Sequence, residues 1–221
     1  MSQPPLSSTP RTALHRGRHR GVHDRDALHA VLDAGRICHL GVIVDDVPRV
    51  IPTSYGRIGD TLYVHGSTGA RSLREAPGRE VCVTVTHLDG IVLGRSVFHH
   101  SVNYRSAMIY GTPRHVTDPE EKLAGLRAIV EQLAPGQWDA ARPPNRKELA
   151  ATAVLAIPLD EASVKIRQGP PVDEEEDYSL NVWAGVLPVR QVFDQPVPDP
   201  RLRPGIPVPR RIAALAADGE P

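Results

Sequence analysis

The sequence predicts a mainly β, α+β fold in which an antiparallel sheet closes into a barrel with a few flanking helices. Two observations carry this. Six or more short apolar segments with strand-like patterning follow one another, and the first three are joined by short Asp/Gly turns that favour antiparallel neighbours. The clear helical patterns are few and interspersed among the strands, unlike the regular alternation of a doubly wound sheet.

The elements follow in order. Asp24 caps a helix whose stripe is Leu28, Val31 and Leu32, with Gly35 as its stop. Strands are expected at Ile37–Val44, Pro48–Tyr55 and Thr61–His65, separated by Asp45-Asp46 and Gly59-Asp60. A short helix is expected over Ser67–Ala76, closed by Pro77-Gly78. Two strands, Arg79–His87 and Ile91–Phe98, precede a long one at Asn103–Val116. A helix over 118–133 is capped by Asp118, starts with Pro119 and buries Leu123, Leu126, Ile129, Val130 and Leu133. A Pro-rich loop over 134–150 leads to strands at Thr152–Ile157 and Ser163–Arg167. The acidic run Asp173–Asp177 reads as a solvated helix start or loop.

Three regions result: a mobile basic arm over 1–20, one domain over 21–190, and a Pro-rich extended tail over 191–221. The length suits one well-buried domain. Lys+Arg and Asp+Glu balance at 26 each, and aromatics are only 4 %. That composition offers neither the basic excess nor the stacking platform of a nucleic-acid binder. No apolar run reaches membrane-span length and no signal-peptide core is present, so a cytoplasmic protein with no membrane partner is expected. Cys38 and Cys82 lie in apolar runs and are expected as small hydrophobes.

Phosphate loops, dinucleotide fingerprints, zinc-protease motifs and a complete nucleophile elbow are all missing. The chemistry concentrates in two places. In His65-Gly66-Ser67-Thr68-Gly69-Ala70-Arg71-Ser72 a strand ends, Gly66 turns the chain and a helix is expected to start at Ser67. Such a start attracts phosphate, and Arg71, four residues on, could clamp it; an ordinary capped helix is the alternative. The second place is His99-His100-Ser101-Val102-Asn103-Tyr104-Arg105-Ser106, either a ligand-contacting rim or a polar hairpin. Adjacent histidines on a strand point to opposite faces, so His99 and His100 do not share a metal, and no metal site is expected. The patch Arg16-Gly17-Arg18-His19-Arg20 reads as a solvated tail.

Val50-Ile51-Pro52-Thr53-Ser54-Tyr55-Gly56, Gly59-Asp60-x-Leu62-Tyr63-Val64-His65-Gly66-Ser67 and Asn103-Tyr104-Arg105-Ser106 together resemble the pyridoxamine 5′-phosphate oxidase-like flavoproteins. The branch with nitroimidazole-resistance proteins is the most similar, and Lys165-x-Arg167-x-Gly169-Pro170-Pro171 and Trp183-Ala184-Gly185-Val186-Leu187-Pro188 look like its C-terminal signature. The resemblance spans about residues 20–190. It implies a split barrel that forms a homodimer with FMN at the subunit interface. Pro52, Thr53, Ser54 and Tyr55 would then line the isoalloxazine by backbone and side chain. His65, Ser67, Arg71 and Ser72 would hold the ribityl phosphate, and Asn103, Tyr104 and Arg105 would come from a neighbouring strand or the other subunit. The segment from Lys165 to Trp183 would cover the site. The C-terminal Arg-x-His pattern of true pyridoxamine phosphate oxidases is not found, which argues against that substrate.

The function expected is an FMN-dependent oxidoreductase acting on a small organic molecule, with His65 or His100 as proton donor. Two alternatives stay open. One is a haem-binding or haem-processing protein using His65, His99 or His100. The other is a non-enzymatic flavin- or deazaflavin-binding protein.

Overall fold

The structure is a computed structural model, described for Leu6 and for residues 9–217. The strands are β1 (Gly21–Val22), β2 (Ile37–Val44), β3 (Val47–Ile58), β4 (Thr61–Ser67), β5 (Val81–Leu93), β6 (Ser101–Gly111), β7 (Arg114–His115), β8 (Thr152–Pro158), β9 (Glu161–Arg167) and β10 (Gly185–Pro188). The helices are α1 (Arg25–Ala34), α2 (Arg71–Glu75), α3 (Pro119–Leu133), α4 (Gln137–Ala140), α5 (Arg146–Ala151) and α6 (Arg210–Ala217). All pairings are antiparallel, in the order β1-β9-β6-β5-β2-β3-β4-β8-β7, and β10 pairs with β5. The expected antiparallel split barrel is what forms.

Strict alternation builds the core. Cys38, Leu40, Val42 and Val44 of β2, Val81, Val83 and Val85 of β5, and Leu155 and Ile157 of β8 point inward. Leu28, Val31 and Leu32 of α1 join the same cluster, and Asp24 caps that helix as expected, accepting from the Asp26 N–H. Burial pushes the Cys38 thiol up to about 12, so it stays protonated; both cysteines are free.

α3 lies on the outer face of β3 and β4, and it sits so close that only glycine fits beneath it. A Cβ on Gly56 would come within 2.4 Å of the Ala128 and Ile129 backbone. The helix turns Ile129 and Gly125 inward, while Leu123 and Leu133 of the expected buried face are substantially exposed.

Several expected boundaries are corrected. The strands expected at Arg79–His87 and Ile91–Phe98 are one strand, β5, because both halves pair with β6 across a bulge at Asp89. Residues 97–99 form a 3₁₀ turn instead of strand. The strand expected over Asn103–Val116 breaks after Gly111: Pro113 interrupts it, and β7 joins β8. The helix expected from Ser67 begins at Arg71, since β4 continues through Ser67 opposite Thr152. Asn145 and Glu148 form a capping box that starts α5 inside the expected loop.

The ends also differ from expectation. The arm is not a free tail over its described part: Leu6 and Thr12 are buried, and Arg11 pairs with Glu161 and Glu80. The tail is extended after β10 but carries α6. Of the acidic run, the Asp173 side chain is fully buried, where it accepts from the Arg95 backbone N–H at 2.8 Å and from its guanidinium at 3.0 Å. No helix among the described residues is long and apolar enough to cross a membrane.

Candidate functional site

The barrel is split at β3. This strand pairs with β2 as far as Ile37↔Ser54, and with β4 only from Tyr55↔Val64 onward. Over 47–54 its second edge has no ladder partner among the described residues. Across the gap, His65, Gly66 and Ser67 pair only with Val154, Ala153 and Thr152 of β8. Two strand edges therefore lie open where the ladder splits, and each offers unpaired backbone donors and acceptors. Pro48 and Pro52 suit such an edge.

α2 packs against β2, β4 and β8 beside the split. Leu73 packs inward where Gly66 lacks a Cβ, and Arg71 reaches back to Asp45 at the β2–β3 turn while also pairing with Glu75 at 3.1 Å. The phosphate-binding helix start expected at Ser67 is thus not formed. Ser67 is the exposed end of β4, its Oγ accepts from the Gly69 N–H at 3.1 Å, and Ser72 lies inside a five-residue helix.

Alternation decides which predicted side chains face outward. Thr53 lies opposite core-facing Cys38 and points inward. Tyr55 is fully buried and donates its hydroxyl to the Leu32 carbonyl at 2.5 Å, so its side chain serves the core and lines no outward surface. Pro52 and Ser54 face outward, and so does His65, which alternates with core-facing Val64 and shares its face with Tyr63 and Val154. Pro52, Ser54 and His65 therefore all point to the outer side. The structure adds His39, directly opposite Pro52 and Thr84.

His65 is the least satisfied of these groups. Its Nδ1 is buried with no hydrogen-bond partner, and burial lowers its pKa, which favours the neutral ring. The other expected histidines differ. His100 Nδ1 accepts from the Gly94 N–H at 3.3 Å, which puts the ring proton on Nε2, and His99 stands 3.8 Å from Glu174.

The second motif builds a separate region. The bulge aims Asp89 at Arg105, which it holds through two hydrogen bonds of 2.9 and 3.0 Å. This pair lines a cavity of about 600 Å³ with Ala34 from the end of α1, Thr86 and His87 of β5, and residues 189–192 after β10. That size falls within the range of small-molecule sites. Asn103 is buried and works as a latch: its Nδ2 donates to the Gly169 carbonyl at 3.1 Å, and its Oδ1 accepts from Arg167. Tyr104 faces the opposite way from Arg105, across from Arg167. Trp183 is 67 % exposed and folds back against Gly185.

Between β6 and β3 lie β5 and β2, so the two regions stand roughly 14 Å apart by strand spacing within one chain. Asp89 and His39 are absent from the sequence expectations. Asp89-Gly90 looks like a strand break, and only pairing shows it as a bulge. His39 was visible as an outward position in the alternation of β2.

A split antiparallel barrel with an open strand edge on its outer face defines the structural class. The family model of pyridoxamine 5′-phosphate oxidase matches residues 24–166, and the chain belongs to that family. Among solved structures, the flavocytochrome Anf3 from Azotobacter vinelandii is 39 % identical, with a TM-score of 0.90 over 96 % of this chain and 99 % of that one. The FAD and haem binding protein from Mycobacterium smegmatis is 36 % identical, with a TM-score of 0.85 over 89 % and 97 %. A protein from Bacteroides thetaiotaomicron described in terms of 5-nitroimidazole antibiotic resistance shares the fold at 22 % identity, with a TM-score of 0.55 over 66 % and 86 %. No curated protein matches the chain in sequence.

Proposed function

We propose that this protein binds both a flavin and a haem and works as an oxidoreductase on a small organic molecule. The observation that carries it is the buried, unpartnered Nδ1 of His65 beside the open β3 edge. A buried ring nitrogen without a partner is costly unless a ligand satisfies it. The two relatives above 35 % identity are described as a flavocytochrome and as a FAD and haem binding protein, which supports the same pair of cofactors here.

The residues present fit both groups. His65, kept neutral by burial, offers an imidazole to a haem iron. The backbone of Pro52, Thr53 and Ser54 offers hydrogen bonds to the polar edge of a flavin ring. Arg105, steadied by Asp89, offers a cation at the mouth of the large cavity. Flavin and haem supply hydride and one-electron chemistry when bound, and the chain supplies orientation and exclusion of water. Asn103 and the buried Asp173 act one step back, holding the 169–173 segment and the 94–96 turn in place.

Of the two flavin forms, we favour FAD over the FMN suggested by the resemblance. The Arg71 clamp expected for a terminal phosphate is engaged by Asp45 and Glu75. The two site regions combine most readily across a homodimer, since Ile37, Val50, Val97 and Phe98 expose apolar surface that a second copy would cover.

The test is an absorbance spectrum of the purified protein, with its extracted cofactors identified by mass. A haem Soret band together with released FAD is the expected result. FMN alone would return the function to the simpler flavoprotein, and a protein free of both after cofactor-supplemented expression would overturn the proposal. Sedimentation of a monomer that still holds flavin would remove the shared site.

A further inference from the structure

The basic run at the start of the chain is built into the barrel. Residues 18–20 form a 3₁₀ turn, and Gly21 then pairs with Lys165 of β9. Gly17, with φ of +64°, takes the left-handed conformation that turns the arm back. As a result Arg20 and Lys165 converge: Arg20 Cδ and Lys165 Cε lie 3.5 and 3.7 Å from the position a Gly17 Cβ would take. Arg167 follows two residues later on the same face of β9. Among the described residues its guanidinium is held by neutral acceptors, Asn103 Oδ1 and the carbonyls of Gly169 and Pro170.

Arg11, Arg71, Arg105, Arg114 and Arg142 each pair with a carboxylate, whereas none of Arg20, Lys165 and Arg167 does so among the described residues. Arg20 Nε is buried without an acceptor. Burial and the nearby Arg20 charge both pull the Arg167 pKa down, so the cluster repels itself as it stands. Ser106 and Tyr104 stand opposite Lys165 and Arg167 and add hydroxyls to the same face. Clustered cations with an unfilled donor lack one thing, a multivalent oxyanion.

We propose that Arg20, Lys165 and Arg167 form a binding site for the diphosphate group of a nucleotide. Two sources share that chemistry: the diphosphate of a bound flavin dinucleotide, which rests on the function proposed above, and that of a free nucleotide such as an electron donor, which does not.

The experiment titrates the protein as purified with inorganic pyrophosphate by calorimetry at low ionic strength. The parent is compared with Arg20→Gln, Lys165→Gln and the charge-preserving Lys165→Arg, and flavin content is measured in each. Pyrophosphate binding that weakens about tenfold or more in both Gln variants, with Lys165→Arg near the parent and flavin content unchanged, supports a free-nucleotide site. A parent that binds no pyrophosphate, with Gln variants that lose flavin, supports the flavin's own diphosphate. Equal pyrophosphate binding in parent and Gln variants overturns the proposal. So does a parent that binds none while the Gln variants keep their flavin.

Discussion

His65→Leu should separate stability from function. In the cofactor-free protein the imidazole has a buried Nδ1 with no partner. Leaving such an atom unsatisfied costs about 1–3 kcal/mol, and an apolar replacement of similar size removes that cost. His65 is only partly buried, so the lower end applies. The variant is expected to gain about 1 kcal/mol, or roughly 2–4 °C in Tm for a chain of this size. The pH dependence has a definite sign. Burial lowers the folded pKa below the ordinary value of 6.5, so below pH 6.5 the unfolded chain binds the proton that the folded chain resists. The parent therefore loses stability as pH falls from 6.5 toward the folded pKa, and the variant lacks that component. Urea unfolding of cofactor-free protein at pH 7.5 and 5.5 reads both effects, and haemin titration followed at the Soret band reads the function. A variant that is less stable than the parent at both pH values, or that binds haemin with unchanged affinity, refutes the reasoning.

Three further substitutions test the supporting structure. Gly56→Ala forces a Cβ into the α3 backbone and should cost about 1–3 kcal/mol or more by overpacking, measured by urea unfolding; a neutral result would mean that α3 is not seated on β3. Asn103→Ala leaves the Gly169 carbonyl with only its 3.4 Å bond from Arg167 and removes the Oδ1 acceptor of that guanidinium, for an expected loss of about 1–3 kcal/mol in the same assay. Asp89→Ala removes an ion pair about one-third exposed, so stability should change by less than about 1 kcal/mol. Flavin retention on dialysis should fall in that variant, because Arg105 is no longer held at the cavity, and unchanged retention would detach the cavity from flavin binding.

Much of the fold was legible because it rests on local periodicity. Alternation in Val81, Val83 and Val85, the Asp24 and Asp118 caps and the Pro119 start depend on near neighbours in the chain. What could not be read was pairing. Whether Asp89-Gly90 ends a strand or bulges within one depends on β6, and whether Ser67 opens a helix or ends a strand depends on Thr152 of β8.

The candidate site divides along the same line. From Pro52 to Arg105 the sequence alone determined which residue types carry chemistry, since hydroxyls, imidazoles and guanidinium groups are visible without a fold. Only the tertiary structure decided their employment. It turned Tyr55 and Thr53 into the barrel, tied Arg71 to Asp45 and Glu75, and made Asn103 a latch. It also left the Nδ1 of His65 without a partner and gathered Arg20 to Lys165 and Arg167 from opposite ends of the domain. The physical reason is that strand alternation and register set the direction of each side chain, and register is a property of two segments that meet in space.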